Sequence, residues 1–332
     1  MSFLGVRLGN EPQLSPADFQ NLGALAEDLG YGEIWMTEGA GRDSLTQLTS
    51  VAMATKRIVV GTGILPVFSR TPLITAMSAA GLAEVSDGRF ILGLGVGNAP
   101  AVENSHGVAF RRPLAHLEEA VTIIQRLLLG EEVTLRGKVF NVDRATLGEV
   151  APKQQVPIYL AALGPRMLKM AGALADGVLL SWTASSYLKQ AIQLVQEGAV
   201  AAGRDPSEVA ISGYVRVAVT DDLEAGKESL RQQMAHYLGN SFYRSFFRNT
   251  GFGREMDGAE SAMEQAAIGV ESGVGAIGPR MQEELGIVGN AEECQAALEE
   301  LRALGLDKPV IAPLPLGDIK ASYRRTLTAL AP

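Results

Sequence analysis

Eight short apolar runs recur along the chain, and most are followed by an amphipathic stretch long enough for a helix. They occupy 3–8, 32–36, 57–64, 89–95, 157–162, 177–182, 209–219 and 309–314. Runs this short, rich in Val, Ile and Leu, read as strands, and helical spacing fills the gaps at 44–55, 72–86, 113–129, 165–175, 184–202, 222–248, 291–304 and 318–330. The first unit shows the punctuation clearly. Ser15 stands at the N-cap position, Pro16 at the first helical position and Gly30 just past the helix end. Eight such repeats in 332 residues are the arithmetic of an α/β fold of the (β/α)8 barrel type. A doubly wound open sheet is the alternative, because strand count alone does not establish closure.

Two insertions interrupt the alternation. Residues 131–155 predict a hairpin turning at Arg136-Gly137, and residues 222–288 are longer and helix-rich, with a dense aromatic segment, SFYRSFFRNTGFG, at 241–253. No low-complexity linker divides the chain, so a single domain spanning 1–332 is expected. The net charge of −8 disfavours binding to nucleic acid or to an anionic membrane surface. One cysteine, Cys294, excludes an internal disulfide, and with three histidines no Cys/His metal cluster is available; a carboxylate-built site stays open in principle, and no metal is expected. There is no signal-like N-terminus and no apolar run of spanning length, which predicts a cytoplasmic protein.

In a barrel the chemistry lies in the loops that follow strands, while turns that precede strands serve stability. Asp87-Gly88 and Asp176-Gly177 precede strands and are expected to be turns only. The informative loops are TEGAGRD (37–43), ILPVFSRTP (64–72), GVGNAPAVENSH (95–106), LGPRM (163–167) and SWTASS (181–186). In the segment Ala161, Ala162, Leu163, Gly164, Pro165, Arg166, a strand ends in small residues and a helix opens at Pro165. Its first amides are free to face an anion, and Arg166 can add charge, although an ordinary strand-to-helix turn would look the same. GLGVGNAP (93–100) has too few glycines at the right spacing for a dinucleotide fingerprint. The two glycines of GTGILP (61–66) suit either packing or a bulge. Glu38, Arg42, Asp43, Arg70, Asn98, Glu103 and His106 are placed at the mouth, and His106 is a candidate for moving protons. His116 and His236 read as packing or surface residues, and no nucleophilic triad can be assembled.

Taken in order, WMTEGAGRD (35–43), GTGILPVFSRTP (61–72), EVSDGRFILGLGVG (84–97), 111–140 and VPIYLAALGPRMLKMAGALADGVLL (156–180) resemble the luciferase-like flavin and deazaflavin oxidoreductases. Within them the similarity is to the coenzyme F420-dependent, methylenetetrahydromethanopterin reductase-like branch. The resemblance is dense over about residues 3–185 and thinner beyond. It implies a barrel, commonly dimeric, that transfers a hydride between F420 and an organic small-molecule substrate. The alternatives are an FMN-dependent monooxygenase served by a separate flavin or F420 reductase, and a non-catalytic cofactor-binding relative.

Carried over residue by residue, the resemblance implies a non-prolyl cis bond at Gly63-Ile64, with Ile64 against the cofactor ring. It also puts Gly97 and Asn98 beside the ring, and the phosphate on 161–166. Substrate-facing residues would come from 40–43, 66–70, 182–187 and 240–255. Two departures stand out. The acidic residue followed by His in the second-strand loop is here Glu38-Gly39, one residue shorter, and the first-strand catalytic Glu is here Arg7. Alternation turns Phe3, Gly5 and Arg7 to one face, the barrel interior, where an unpaired charge is costly. An Arg7–Glu38 ion pair near the cofactor is therefore expected, with Glu38 better suited to orienting the cofactor than to donating a proton. Loss of the first-strand acid argues against authentic methylenetetrahydromethanopterin reductase activity.

Overall fold

The computed structural model describes residues 3–39, 41–266 and 277–332. Ala40, expected near the pocket, and residues 267–276 of the second insertion lie outside the described residues. In chain order the elements are β1 (Gly5–Leu8), α1 (Pro16–Asp28), β2 (Glu33–Met36), α2 (Ser44–Ala54), β3 (Val59–Thr62), β4 (Leu65–Pro66), α3 (Pro72–Val85), β5 (Phe90–Gly95), α4 (Ala99–His106) and α5 (Pro113–Leu128). They continue with β6 (Val133–Arg136), β7 (Asn141–Ala145), β8 (Ile158–Ala161), α6 (Pro165–Leu174), β9 (Gly177–Ser181), α7 (Ser185–Ala201), β10 (Ala210–Val219) and α8 (Leu223–Leu238). The last are α9 (Ser241–Asn249), α10 (Gly253–Ala266), α11 (Pro279–Leu285), β11 (Gly286–Gly289), α12 (Ala291–Ala303), β12 (Lys308–Pro313) and α13 (Ile319–Ala329).

Parallel pairing runs β1-β2-β3-β5-β8-β9-β10-β12 and returns to β1, where Gly5 and Val6 face Val310 and Ile311. The sheet is a closed eight-stranded barrel, so the doubly wound alternative falls. The eight anticipated strands are these eight, each within a few residues of its expected bounds. The hairpin of the first insertion also forms, with β6 antiparallel to β7 and Gly137 N donating to Phe140 O at 2.9 Å.

Three features differ from expectation. The single helix expected over 222–248 breaks at Gly239-Asn240 into α8 and α9, and Asn240 caps the second through Phe242 N. The loop after β5 contains its own helix, α4, capped by Asn98. β10 outruns the barrel, and its residues Arg216–Val219 pair with β11 beyond the point where β9 ends.

The strands are buried on both sides, which is why they read as continuous apolar runs. The outer face of the barrel meets the helices in one large core that includes Val6, Ile34, Val60, Leu92 and Leu180. The inner face holds a smaller cluster of Trp35, Ile91, Tyr159, Leu179 and Val310. Below it the floor is polar. The carboxylate of Glu33, which is 2% exposed, accepts from Lys308 Nζ at 2.9 Å and from Trp35 Nε1 at 2.8 Å, and Lys308 also reaches the Tyr159 hydroxyl at 3.3 Å. The Asp176 carboxylate accepts from Ile158 N at 2.8 Å below the barrel, as suits a residue ahead of a strand.

Around the outside, α6 and α7 cross at backbone contact through Gly172 and Gly198. A Cβ at Gly172 would sit 1.9 Å from Val195 O, and one at Gly198 would sit 2.0 Å from Lys169 O. Neither obstacle is a side chain that can swing away, so the helices must separate. Gly172→Ala is expected to lower stability by about 2–3 kcal/mol, as measured by the shift of the urea unfolding midpoint.

Candidate active site

The C-terminal ends of the barrel strands form a mouth with two unlike sides. On one side the interior positions are glycines and small residues. Gly61 leaves room for the Trp35 ring, whose nearest atom would stand 2.8 Å from a Cβ at that position. Between β3 and β4 the chain bulges, the Gly63-Ile64 peptide is cis, and Ile64 leans over Gly95. A Cβ on Gly95 would meet Ile64 at 3.0 Å and push it into the mouth. At Gly63 the Tyr214 hydroxyl, from across the barrel, donates to the carbonyl oxygen at 2.9 Å, and a Cβ there would overlap it. This side is a smooth ledge with a single projecting aliphatic side chain.

A quarter-turn away, β8 ends at Ala161 and α6 starts after Gly164. Gly164 caps α6 with extended backbone and no side-chain hydrogen bond, and a Cβ placed on it would touch nothing within 4 Å. The first amides of α6 therefore carry the positive end of the helix dipole into open space. Arg166 stands exposed one residue further on. The second GPR sequence also opens a helix, α11, but Arg280 there packs over Phe252 and pairs with Glu255 and Glu284.

The opposite side is cationic and aromatic. Arg7 points into the barrel, as alternation requires, and its Nε donates to Thr37 Oγ1 at 3.1 Å. Arg216, 3% exposed, donates to Ser181 Oγ at 3.1 Å and lies flat on the Trp182 indole at 3.8 Å from its centroid. Trp182 is buried with a φ of 53°, a left-handed conformation that costs a bulky residue on the order of 1–3 kcal/mol. Tyr237 of α8 stacks edge-on against Trp182 and against Tyr243 of α9, with centroids 5.1 and 4.8 Å apart. Tyr323 of α13 accepts from Gly9 N at 2.9 Å and donates to Glu11 at 3.0 Å, tying the loop after β1 to the last helix.

These surroundings split the tyrosines. Burial would raise the Tyr237 hydroxyl, but Arg216 and Arg7 outweigh it and hold its pKa below the ordinary phenol value. Burial pushes the other six upward, Tyr214, Tyr243 and Tyr323 the furthest within the mouth.

The ion pair expected between Arg7 and Glu38 does not form. Thr37 faces the interior and takes the hydrogen bond from Arg7. Glu38, one residue on, turns outward. Its carboxylate accepts from Ser44 N at 2.9 Å and Ser44 Oγ at 2.6 Å and forms an ion pair with Arg70, which also pairs with Asp43. Glu38 thus joins the start of α2 to the loop after β4. Asn98 spends its side chain on Ala101 N at 3.0 Å, and Gly97, at φ 67°, lies beside Pro66. His106 ends α4 in solvent. His116 is packed between Phe68 and Phe140, where burial lowers its pKa, and His236 is exposed.

Arg216, Tyr214 and Tyr237 were not among the sequence candidates. The signal for the first two was present, since Tyr214 and Arg216 share the inward parity of an otherwise apolar strand. In the aromatic segment Phe246, Phe247 and Phe252 are core, while Tyr243 reaches Tyr237 at the mouth.

The sequence profile described as luciferase-like monooxygenase matches residues 1–308. The chain belongs to that family. It is similar to the 5,10-methylenetetrahydromethanopterin reductase of Methanolobus tindarius, 32% identical over 297 residues, 89% of this chain and 90% of the relative. It also resembles an F420-dependent glucose-6-phosphate dehydrogenase of Kineococcus radiotolerans, 31% identical over 69% of this chain and 71% of that protein. Among solved structures, the coenzyme F420-dependent tetrahydromethanopterin reductase of Methanopyrus kandleri superposes with a TM-score of 0.83 at 26% identity, covering 99% of this chain and 97% of that one. The relatives are named as reductases or dehydrogenases, two of the three as F420-dependent, and this family member is an oxidoreductase-type enzyme on the same barrel.

A spectrophotometric pH titration of the tyrosines is expected to show one ionising ahead of the other six. Arg216→Gln should move that early step upward, because the nearest compensating cation is gone. An early step unaffected by the substitution would place the perturbed hydroxyl elsewhere.

Proposed function

We propose that this family member binds coenzyme F420 and transfers a hydride between the deazaflavin and an organic substrate. The observation that carries the reading is the two-part geometry of the mouth, a glycine-floored ledge under Ile64 and an uncapped helix start at Gly164 opening at the same end of the barrel. A flat ring and a phosphate-bearing side chain need these two features. Similarity to relatives named as F420-dependent, across more than two thirds of the chain, supports it.

Bound there, the deazaflavin would supply a carbon centre that gives or accepts a hydride. The protein's own part is to hold and shield. Ile64 and Gly95 would support one face of the ring, with Gly97 and Asn98 at its edge. The α6 amides, Ala161, Ala162, Leu163 and Arg166 would hold the phosphate. Glu38 would act at one remove, by fixing Arg70 and the loop after β4. Water exclusion falls to Trp182, Tyr237 and Tyr243. His106 remains a candidate proton carrier only if a bound substrate draws the end of α4 inward. An FMN-dependent monooxygenase with a separate reductase is the second reading, favoured by the family's own description.

Titration of the protein with F420 and with FMN, followed by tryptophan fluorescence, separates the two. Tight F420 and weak FMN binding is expected, and the reverse order would overturn the hydride-transfer reading. Gly164→Asp gives a sharper check, because an Asp N-cap suits the helix while its carboxylate repels phosphate. It should leave the unfolding midpoint unchanged or raised, and weaken F420 binding roughly tenfold or more, about 1.4 kcal/mol.

We also propose that a second copy covers α3. Leu73, Ile74, Met77 and Val85 are exposed on one face, and Met53 is exposed on the adjoining α2, although the opposite face of α3 is already buried. A helix apolar all round is ordinarily enclosed. Met77→Glu should shift the protein from dimer to monomer in sedimentation velocity, and an unchanged mass would refute α3 as the interface.

A further inference from the structure

Two guanidinium groups share the barrel mouth, and among the described residues no carboxylate forms an ion pair with either. Arg7 is held by the Thr37 hydroxyl, and Arg216 by the Ser181 hydroxyl and, at 3.4 Å, the Tyr214 carbonyl. Each cation disfavours the other's charge. Burial works against the charge on Arg7, but Tyr323 and Glu11 outweigh it and raise its pKa; Glu11 accepts from Tyr323 through Oε1, and its Oε2 has no hydrogen-bond partner. The chain as a whole is acidic, with 37 carboxylate side chains against 29 Lys and Arg, these two included. Carboxylates pair with Arg70, Arg126, Arg244, Arg248 and Arg280. Arg216 is the less compensated of the two, with its pKa lowered by burial and by Arg7, and it lies in the mouth, where desolvation makes a charge most costly.

The unused hydrogen-bonding capacity points the same way. Arg216 Nε and Trp182 Nε1 are buried and have no partner. Both are donors, and they belong to two groups stacked 3.8 Å apart. The Tyr237 hydroxyl approaches both without hydrogen-bonding geometry to the indole. An acceptor carrying negative charge and offering two oxygens would satisfy both N–H groups, which the Tyr237 hydroxyl faces without bonding. A carboxylate meets both requirements, one oxygen to each N–H, with the charge-assisted bond to Arg216 the stronger of the two. The open helix start at Gly164, the place suited to a phosphate, lies on a different part of the rim.

We propose that Arg7, Arg216, Trp182 and Tyr237 form a carboxylate-binding subsite, so that the organic substrate of this enzyme is a carboxylic acid. Calling its occupant the substrate rests on the hydride-transfer reading, whereas the anion site itself does not. Arg216 and Trp182 grip the carboxylate, Arg7 neutralises it from β1, one strand beyond the neighbouring β12, and Tyr237 closes the side toward α8. The acceptor carbon is then held beside the ledge that Ile64 forms.

The test uses the cofactor-free protein, with crotonate as the probe and crotonamide as its uncharged counterpart. Trp182 lies directly under Arg216 and reports occupancy through its fluorescence, while Trp35 is sealed in the barrel interior. Crotonate should give a saturable change and crotonamide none, with inorganic phosphate binding more weakly than crotonate. Arg216→Gln should weaken crotonate binding roughly tenfold or more, as expected for loss of a charged hydrogen bond, and F420 should bind without displacing crotonate. Equal responses to acid and amide would overturn the subsite, as would tighter binding of phosphate. Competition between crotonate and F420 would assign the arginines to the cofactor instead. Should Arg216→Gln fail to fold, the contrast between acid and amide in the unaltered protein still decides. Crotonate binding by a protein that binds no F420 would uphold the anion site and overturn only the hydride-transfer reading.

Discussion

Closure of eight parallel strands is the constraint on which the rest depends. A closed barrel of this size has an interior just wide enough for side chains, and alternation sends every second residue into it. Bulky residues therefore cannot occupy every inward position at one level. Here Trp35 and Tyr159 fill the middle, the Glu33–Lys308 pair seals the floor, and glycines on β3 and β5 keep the upper level open on one side. The mouth is a consequence of how that limited volume is divided.

The same closure explains why the two sides of the mouth differ chemically. The glycine side presents backbone and one aliphatic residue, a surface on which a flat group can rest. The opposite side receives Arg7 from β1 and Arg216 from β10, which are separated by β12 alone in the barrel order. Two cations brought this close in a poorly solvated space repel each other, and aromatic faces offset only part of that. The arrangement holds a positive potential ready for a negative group. Such preorganisation is what distinguishes a binding mouth from a filled core.

Much of the candidate site was legible as segments. The loops after β2, β3, β5 and β8 carried the resemblance, and each is found at the mouth. What the segments could not convey was pairing. Glu38 was expected to pair with Arg7, yet one residue of alternation separates an inward Thr37 from an outward Glu38, and the carboxylate went to Arg70 and Ser44. Arg216 hid inside an apolar strand, and Tyr237 sat on a helix whose inward face only the packing of α8 reveals.

Local structure in this protein is set by neighbouring residues. Strand and helix bounds follow from side-chain period and from caps such as Ser15, Asp43 and Asn290, because these are interactions among residues a few positions apart. Tertiary structure alone decided that the sheet closes, that β11 takes over the edge of β10 where β9 stops, and that one arginine is neutralised while another is not. Those outcomes depend on distances between residues far apart in the chain, such as the 314 positions between Gly9 and Tyr323. Local propensity carries no information about contacts at that separation.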